Sequence, residues 1–207
     1  MDFCLPFEYN FSAMSAPVIN RIAAALAARS PQVLEAPGFK QAAVLVPIQQ
    51  RVDAAYLVLT QRTEMLNSHR GQVAFPGGKI EPRDAGAEAA ALRESHEEIG
   101  LAPDDVRVLG QLDQVTAASD YLVTPFVGVL PYPYEFRLNP HETAALFSVP
   151  LDALIAEGCF KAEPRLFPPE RRDPIYHFYY EGWDIWGATA RIILQLLELS
   201  YGYRIEK

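Results

Sequence analysis

The chain has 207 residues, half of them hydrophobic, and a formal net charge of −8. A chain of this size buries roughly 70 % of its unfolded surface in one core, so a single domain over residues 1–207 is expected. The acidic balance disfavours nucleic acid and anionic membrane surfaces as partners, because both select a basic face.

The opening "MDFCLPFEYNF" has no basic leader, and Pro6, Glu8 and Asn10 interrupt any apolar run, so neither a signal peptide nor a membrane span is expected and the cytoplasm is the default location. Cys4 and Cys159 form no metal-ligand spacing and no disulfide framework. Val18, Ile22, Ala25 and Leu26 recur at helical spacing and predict a packing helix over about 17–29, closed by Pro31. "AAVLVPI" (42–48) and "AAYLVLTQR" (54–62) read as the two strands of a hairpin, and "VRVLGQL" (106–112) and "YLVTPFVGVL" (121–130) as further strands. Between the two pairs a helix runs from about Ala85 to Ile99, with Gly100 as its left-handed cap. The segment 131–140, with Pro131, Pro133 and Pro140, and the segment 164–174 read as irregular surface connections. "IWGATARIILQLLEL" predicts a covering helix over about 185–200. The sum is an α/β protein with a mixed sheet and helices on both sides.

The central helix carries an electrostatic anomaly. In "RESHEEIGL" (93–101), Glu94, Glu97 and Glu98 stand at i, i+3 and i+4, where like charges repel. They also lie near the C-terminal end, where the helix dipole favours cations. At about 100° per residue the three fall on one side, shared with Ala87, Ala90 and Ala91, while Leu92 and Ile99 face the other way. A divalent cation would relieve the repulsion, and an all-oxygen ligand set suits Mg²⁺ or Mn²⁺. A charge run alone is more often a solvated face. Here, however, "FPGGK" (75–79) precedes it with a Gly-Gly turn that lets backbone approach a ligand closely.

Gly78, Asp84 and "RESHEEIGL" together resemble the signature of the Nudix hydrolases, G-x5-E-x7-R-E-U-x-E-E-x-G-U, where U is aliphatic. Asp84 stands in the first glutamate slot, one extra residue precedes Arg93, and Ser95 takes an aliphatic position. The extra residue resembles the coenzyme A diphosphatase branch. That branch's upstream signature, L-L-T-x-R-[SA]-x3-R-x3-G-x3-F-P-G-G, is similar to "VLTQRTEMLNSHRGQVAFPGG" (58–78), with Val58, Thr63 and Asn67 departing. "WGATA" (186–190) is also similar to that branch's C-terminal helix.

The resemblance implies a Nudix-type α/β/α sandwich with its signature over about 78–101. It implies that Glu94, Glu97 and Glu98 hold Mg²⁺ or Mn²⁺ and that Arg93 holds those glutamates in place. A later loop often supplies a base, and Glu142 is the candidate there, with a turn or helix-start role equally open. Arg62, Arg70, Lys79 and the backbone of Gly77 and Gly78 are the expected substrate contacts. Cations of this kind suit phosphate in an otherwise acidic protein. His69 and His96 read as structural or exposed. Tyr121, Phe126, Tyr132 and Tyr134 read first as packing residues.

The implied reaction is hydrolysis of the diphosphate of coenzyme A or acyl-coenzyme A to 3′,5′-ADP and (acyl-)4′-phosphopantetheine. Another nucleoside diphosphate, such as ADP-ribose or NADH, is the alternative, to which Asn67 leaves room; a silent nucleotide-binding domain is a third. The resemblance also admits a homodimer.

Overall fold

The computed structural model describes residues 17–64, 71–117, 120–164 and 174–205. Cys4, Asn67, His69, Arg70 and almost all of the 164–174 connection lie outside the described residues.

Helix α1 (Val18–Ala27) turns Ile19, Ile22 and Leu26 inward at helical spacing. Strand β1 (Lys40–Gln50) returns as β2 (Ala55–Arg62) through a tight link in which the Arg51 amide donates to the Ala54 carbonyl at 2.9 Å. This is the expected hairpin, with Ile48 opposite Leu57. Two short strands follow, β3 (Val73–Ala74) and β4 (Gly77–Lys79), then helix α2 (Ala87–Ile99). Strands β5 (Arg107–Gln111), β6 (Val115–Thr116) and β7 (Tyr121–Leu130) come next, then β8 (Thr143–Pro150).

These strands form one sheet with the backbone order β3-β2-β1-β7-β5; β4 joins β1, β6 joins β7 and β8 joins β2. The sheet is mixed, because β1 and β7 run parallel while the other pairings are antiparallel. Strands buried on both faces need no polar alternation, which is why β7 reads as an almost continuous apolar run. Pro47 inside a central strand is tolerated for a local reason. It falls where the neighbour of β1 changes from β4 (Ala42–Val44) to β2 (from Ile48), so its missing N–H breaks no ladder bond there.

β1 distributes the core. Ala42, Val46 and Ile48 point toward α1 and the C-terminal helix, whereas Ala43 and Leu45 point toward Ala90, Ala91 and Ile99 of α2. Side chains of a strand alternate, so one strand serves two helical layers, and each fully buried leucine or isoleucine contributes roughly 2 kcal/mol.

A second sheet of β9 (Phe160–Glu163), β10 (Ile175–Tyr180) and β11 (Trp183–Trp186) precedes helix α3 (Ala188–Tyr201). The final helix therefore begins later than the periodicity suggested: Ile185 and Trp186 are strand, paired with Phe178 and His177, and Gly187 with φ 67° makes the turn into the helix. Ile185 and Ile192 both reach the core, so their apolar character did not distinguish strand from helix. No helix among the described residues is long and apolar enough to cross a membrane.

Candidate active site

The C-terminal end of α2 is the foundation of the site. Gly100 adopts φ 69° as the left-handed cap, and its amide donates to His96 O at 3.0 Å. A Cβ at this position would also lie 2.9 Å from that of Arg137, so conformation and space both demand glycine. The Arg137 amide donates to Ile99 O and the Asn139 amide to Glu98 O, each at 2.9 Å. The proline-rich connection thus satisfies carbonyls that a helix end leaves without partners. In doing so it delivers Glu142 to the glutamate helix. Glu142 is fixed there by its amide bond to Asn139 O (3.0 Å), by Asn139 Nδ2 donating to its Oε1 (3.3 Å) and by the Thr63 amide donating to its carbonyl (3.0 Å).

One carboxylate oxygen from each of Glu94, Glu98 and Glu142 lies within 4.8 Å of the others. Glu98 is only 3 % exposed and accepts from the Gly77 amide at 3.3 Å and from Arg62 Nη1 at 3.4 Å. Burial nevertheless dominates and pushes its carboxyl up to about 8, with Glu142 and Glu94 adding repulsion. Burial also raises Glu94. Such an oxygen-only cluster fits Mg²⁺ or Mn²⁺, which would cancel the repulsion that Arg62 and the Gly77 amide leave unbalanced.

Glu97 is placed differently. It is exposed and is taken up by Arg93 (3.0 Å) and Arg83 (3.4 Å), on the outer side of the three converging carboxylates. Ala90 and Ala91, which helical spacing puts on the acidic side, are both fully buried against the sheet. Their small size lets α2 settle close to β1, and the same approach carries Glu98 inside.

Arg93 is the organising cation. It grips Asp84 with two bonds, Nε to Oδ1 at 2.8 Å and Nη2 to Oδ2 at 3.0 Å. It also donates to Glu94 Oε1 (2.9 Å), Glu97 Oε2 (3.0 Å) and the Lys79 carbonyl (3.0 Å). The Arg93 bonds hold the Asp84 carboxyl down at about 2. Asp84 is thus an anchor for the arginine, held through both of its carboxylate oxygens. Ser95, the polar residue in an aliphatic slot, is fully buried and donates to Ala91 O at 2.7 Å, so its hydroxyl costs little.

Gly77 and Gly78 have separate reasons. A Cβ on Gly77, at φ +153°, would stand 2.4 Å from the Ala43 carbonyl and break the β4–β1 ladder. A Cβ on Gly78 would stand 2.5 Å from the Glu94 carboxyl. Lys79 is exposed beside them.

Arg62, Gly77 and Gly78 also border a cleft of about 480 Å³ that extends to the start of α3. This volume lies in the range of small-molecule sites. Among the described residues Arg62, Lys79 and Arg191 line it and no aspartate or glutamate does, an inversion of the chain's overall charge. The buried Nε of Arg62 has no hydrogen-bond partner among the described residues.

The structure therefore brings together Glu94, Glu98, Glu142, Arg93, Arg62, Gly77, Gly78 and Lys79, and leaves Glu97 at the margin. His96 is exposed. Tyr134 and Phe126 pack against the α2 core, Tyr132 lies over Arg51, and Tyr121 alone of the four aromatics borders the cleft. Arg191 and Trp186 also line the cleft without having been expected there, because nothing local in the sequence says which side of α3 and β11 meets it.

A model of the NUDIX domain matches residues 39–171. Among curated proteins, "Uncharacterized Nudix hydrolase NudL" of Photorhabdus laumondii is 41 % identical over 162 residues, covering 77 % of this chain and 84 % of that one. Its namesake in Escherichia coli K12 is 40 % identical over 157 residues, covering 76 % and 81 %. Among solved structures, a MutT/nudix family protein from Enterococcus faecalis superposes with a TM-score of 0.50 at 14 % identity, over 91 % of this chain and 71 % of that chain, a likeness of fold alone.

Proposed function

The chain belongs to the Nudix family of hydrolases, and from that premise we propose that it cleaves the diphosphate of coenzyme A or its thioesters, with Mg²⁺ or Mn²⁺, to 3′,5′-ADP and (acyl-)4′-phosphopantetheine. The observation that carries the reading is the junction of two environments: three converging carboxylates, and a cleft lined by cations and, among the described residues, by no acid, joined at Arg62, Gly77 and Gly78. A diphosphate needs both, since its oxygens require countercharge while the cation that offsets them requires carboxylates. The resemblance of residues 58–78 to the coenzyme A diphosphatase signature supports the choice of substrate.

In this reading Glu94 and Glu98 hold the divalent ion, with Glu97 beside them and Arg93 fixing their rotamers. The ion would supply charge neutralisation on the diphosphate and ease deprotonation of water. Glu142, entering from the opposite side, completes the oxygen set or accepts the proton of the attacking water; the pH–rate profile of Glu142→Gln separates the roles, because loss of a base removes the acid limb. Arg62 and Lys79 meet phosphate oxygens, and Arg62 also partners Glu98, so the residue that binds substrate stands next to the chemistry.

Product analysis with Mg²⁺ or Mn²⁺ against coenzyme A, acyl-coenzyme A, ADP-ribose and NADH tests the proposal. Release of 3′,5′-ADP is expected. Intact coenzyme A alongside cleavage of another diphosphate would refute the substrate and keep the family chemistry.

A further inference from the structure

Arg191 has no part in the chemistry described so far. It lies in the first turns of α3, half-buried, and lines the cleft. Its hydrogen bond to the Thr116 carbonyl spans 3.5 Å, the weak limit of such contacts, and no carboxylate among the described residues forms an ion pair with it. A partly desolvated guanidinium ordinarily acquires a countercharge, and in a chain of net charge −8 acids are plentiful. Among the described residues the wall of this cleft contains none, and Asp113, which shares a neighbouring cavity with Arg191, is taken by Arg29.

Its position follows from the strand register. Lys79 pairs with Ala42, Ala42 with Val123 and Val123 with Val115, so β4, β1, β7 and β6 align these residues in one row. Three strand spacings separate the phosphate-facing edge at Lys79 from β6, about 14 Å. Thr116, whose carbonyl accepts the long bond from Arg191, follows Val115 on β6. The cleft therefore carries cations at both ends, with Ala42, Val44 and Val123 as an apolar floor between and Tyr176 and Trp186 on its rim.

We propose that Arg191 binds a second phosphate carried on the ribose of the substrate, and so makes the enzyme prefer nucleotides that bear one. A planar, bidentate donor suits a terminal phosphate monoester, which presents more charge than a bridging diphosphate oxygen. The inference rests on the reading that the cleft holds a nucleoside diphosphate. If that substrate is coenzyme A, the group is its 3′-phosphate; a 2′-phosphorylated dinucleotide carries the same chemistry on the neighbouring oxygen.

Calorimetric titration of the metal-free protein with 3′,5′-ADP, 2′,5′-ADP and 5′-AMP tests it without any turnover. The wild type should bind one bisphosphate at least about tenfold more tightly than 5′-AMP. Arg191→Ala should erase that advantage and change 5′-AMP binding less than about twofold, while Arg191→Lys keeps part of it. Preference for the 3′ isomer favours coenzyme A, and preference for the 2′ isomer favours a phosphorylated dinucleotide. Equal binding of all three by the wild type, or an equal loss of all three in Arg191→Ala, would overturn the proposal. Should the alanine variant fail to fold, Arg191→Gln, which keeps a polar side chain without the charge, must show the same selective loss. Failure to cleave coenzyme A would count against the substrate reading alone, because the Arg191 titrations decide their own question without turnover.

Discussion

Replacing Glu98 by glutamine separates what this carboxylate does for function from what it costs the fold. The buried carboxyl is pushed from 4.5 up to about 8. A tenfold change in proton affinity corresponds to roughly 1.4 kcal/mol, so an ionised Glu98 costs the metal-free fold on the order of 5 kcal/mol. The sign follows from linkage: the unfolded carboxyl ionises first, so stability is full below pH 4.5 and is lost as the pH rises toward 8. Relaxation and water penetration around an ionised buried carboxylate relieve part of the cost, and we expect Glu98→Gln to stabilise the chelator-treated protein by about 2 kcal/mol at about pH 8.5. That is ~5 °C in Tm for a chain of this length. At pH 4.5 the two proteins should melt together. Mn²⁺ should raise the Tm of the wild type and barely move that of the variant, since a ligand stabilises only the state that binds it. Turnover of any cleaved diphosphate should fall at least about a hundredfold. Thermal melts across pH, with chelator and with Mn²⁺, decide the matter. A variant no more stable than wild type in the alkaline melts, or a gap that does not shrink on acidification, would refute the electrostatic reasoning; near-normal turnover would refute the role of Glu98 in holding metal.

Gly78→Ala should keep the fold, because its backbone is not in the left-handed region, yet weaken Mn²⁺ binding at least about tenfold in calorimetry as the new Cβ displaces the Glu94 carboxyl from 2.5 Å. Gly77→Ala should instead lower Tm, since its Cβ meets the Ala43 carbonyl. Arg93→Lys should lose turnover about 10- to 100-fold despite keeping the charge, because a point donor cannot grip both oxygens of Asp84 and reach Glu94 and Glu97 as well. In Arg93→Ala the carboxyl of Asp84 loses the partner that holds it near 2, so the decline of Tm from about pH 4 toward pH 2 attributable to Asp84 should flatten; an unchanged acid limb would show that the pair is incidental.

Local devices are legible along the chain. Glycine where a helix must end, like charges one turn apart, and β-rich runs with a short polar link are consequences of backbone geometry, and the hairpin, α2 with its Gly100 cap and β7 follow from them. Ambiguous periodicity misleads: Ile185 and Trp186 fit a helix pattern as well as a strand, and the β-rich "IYHFYY" (175–180), which no predicted element covers, is β10. Which acids converge is not a local property. Glu97 and Glu98 are neighbours in the chain, yet Glu98 is buried against Gly77 and Arg62 while Glu97 remains outside on Arg93 and Arg83. Glu142 joins Glu94 only because a proline-rich connection caps α2 through Arg137 and Asn139. The cation-lined cleft needs the pairings of β4, β1, β7 and β6 to bring Lys79 and Arg191 to one surface with Arg62. Spacing along a chain sets angles within one element, but burial and convergence depend on which elements pack together, and those contacts form across long sequence separations that no local pattern records.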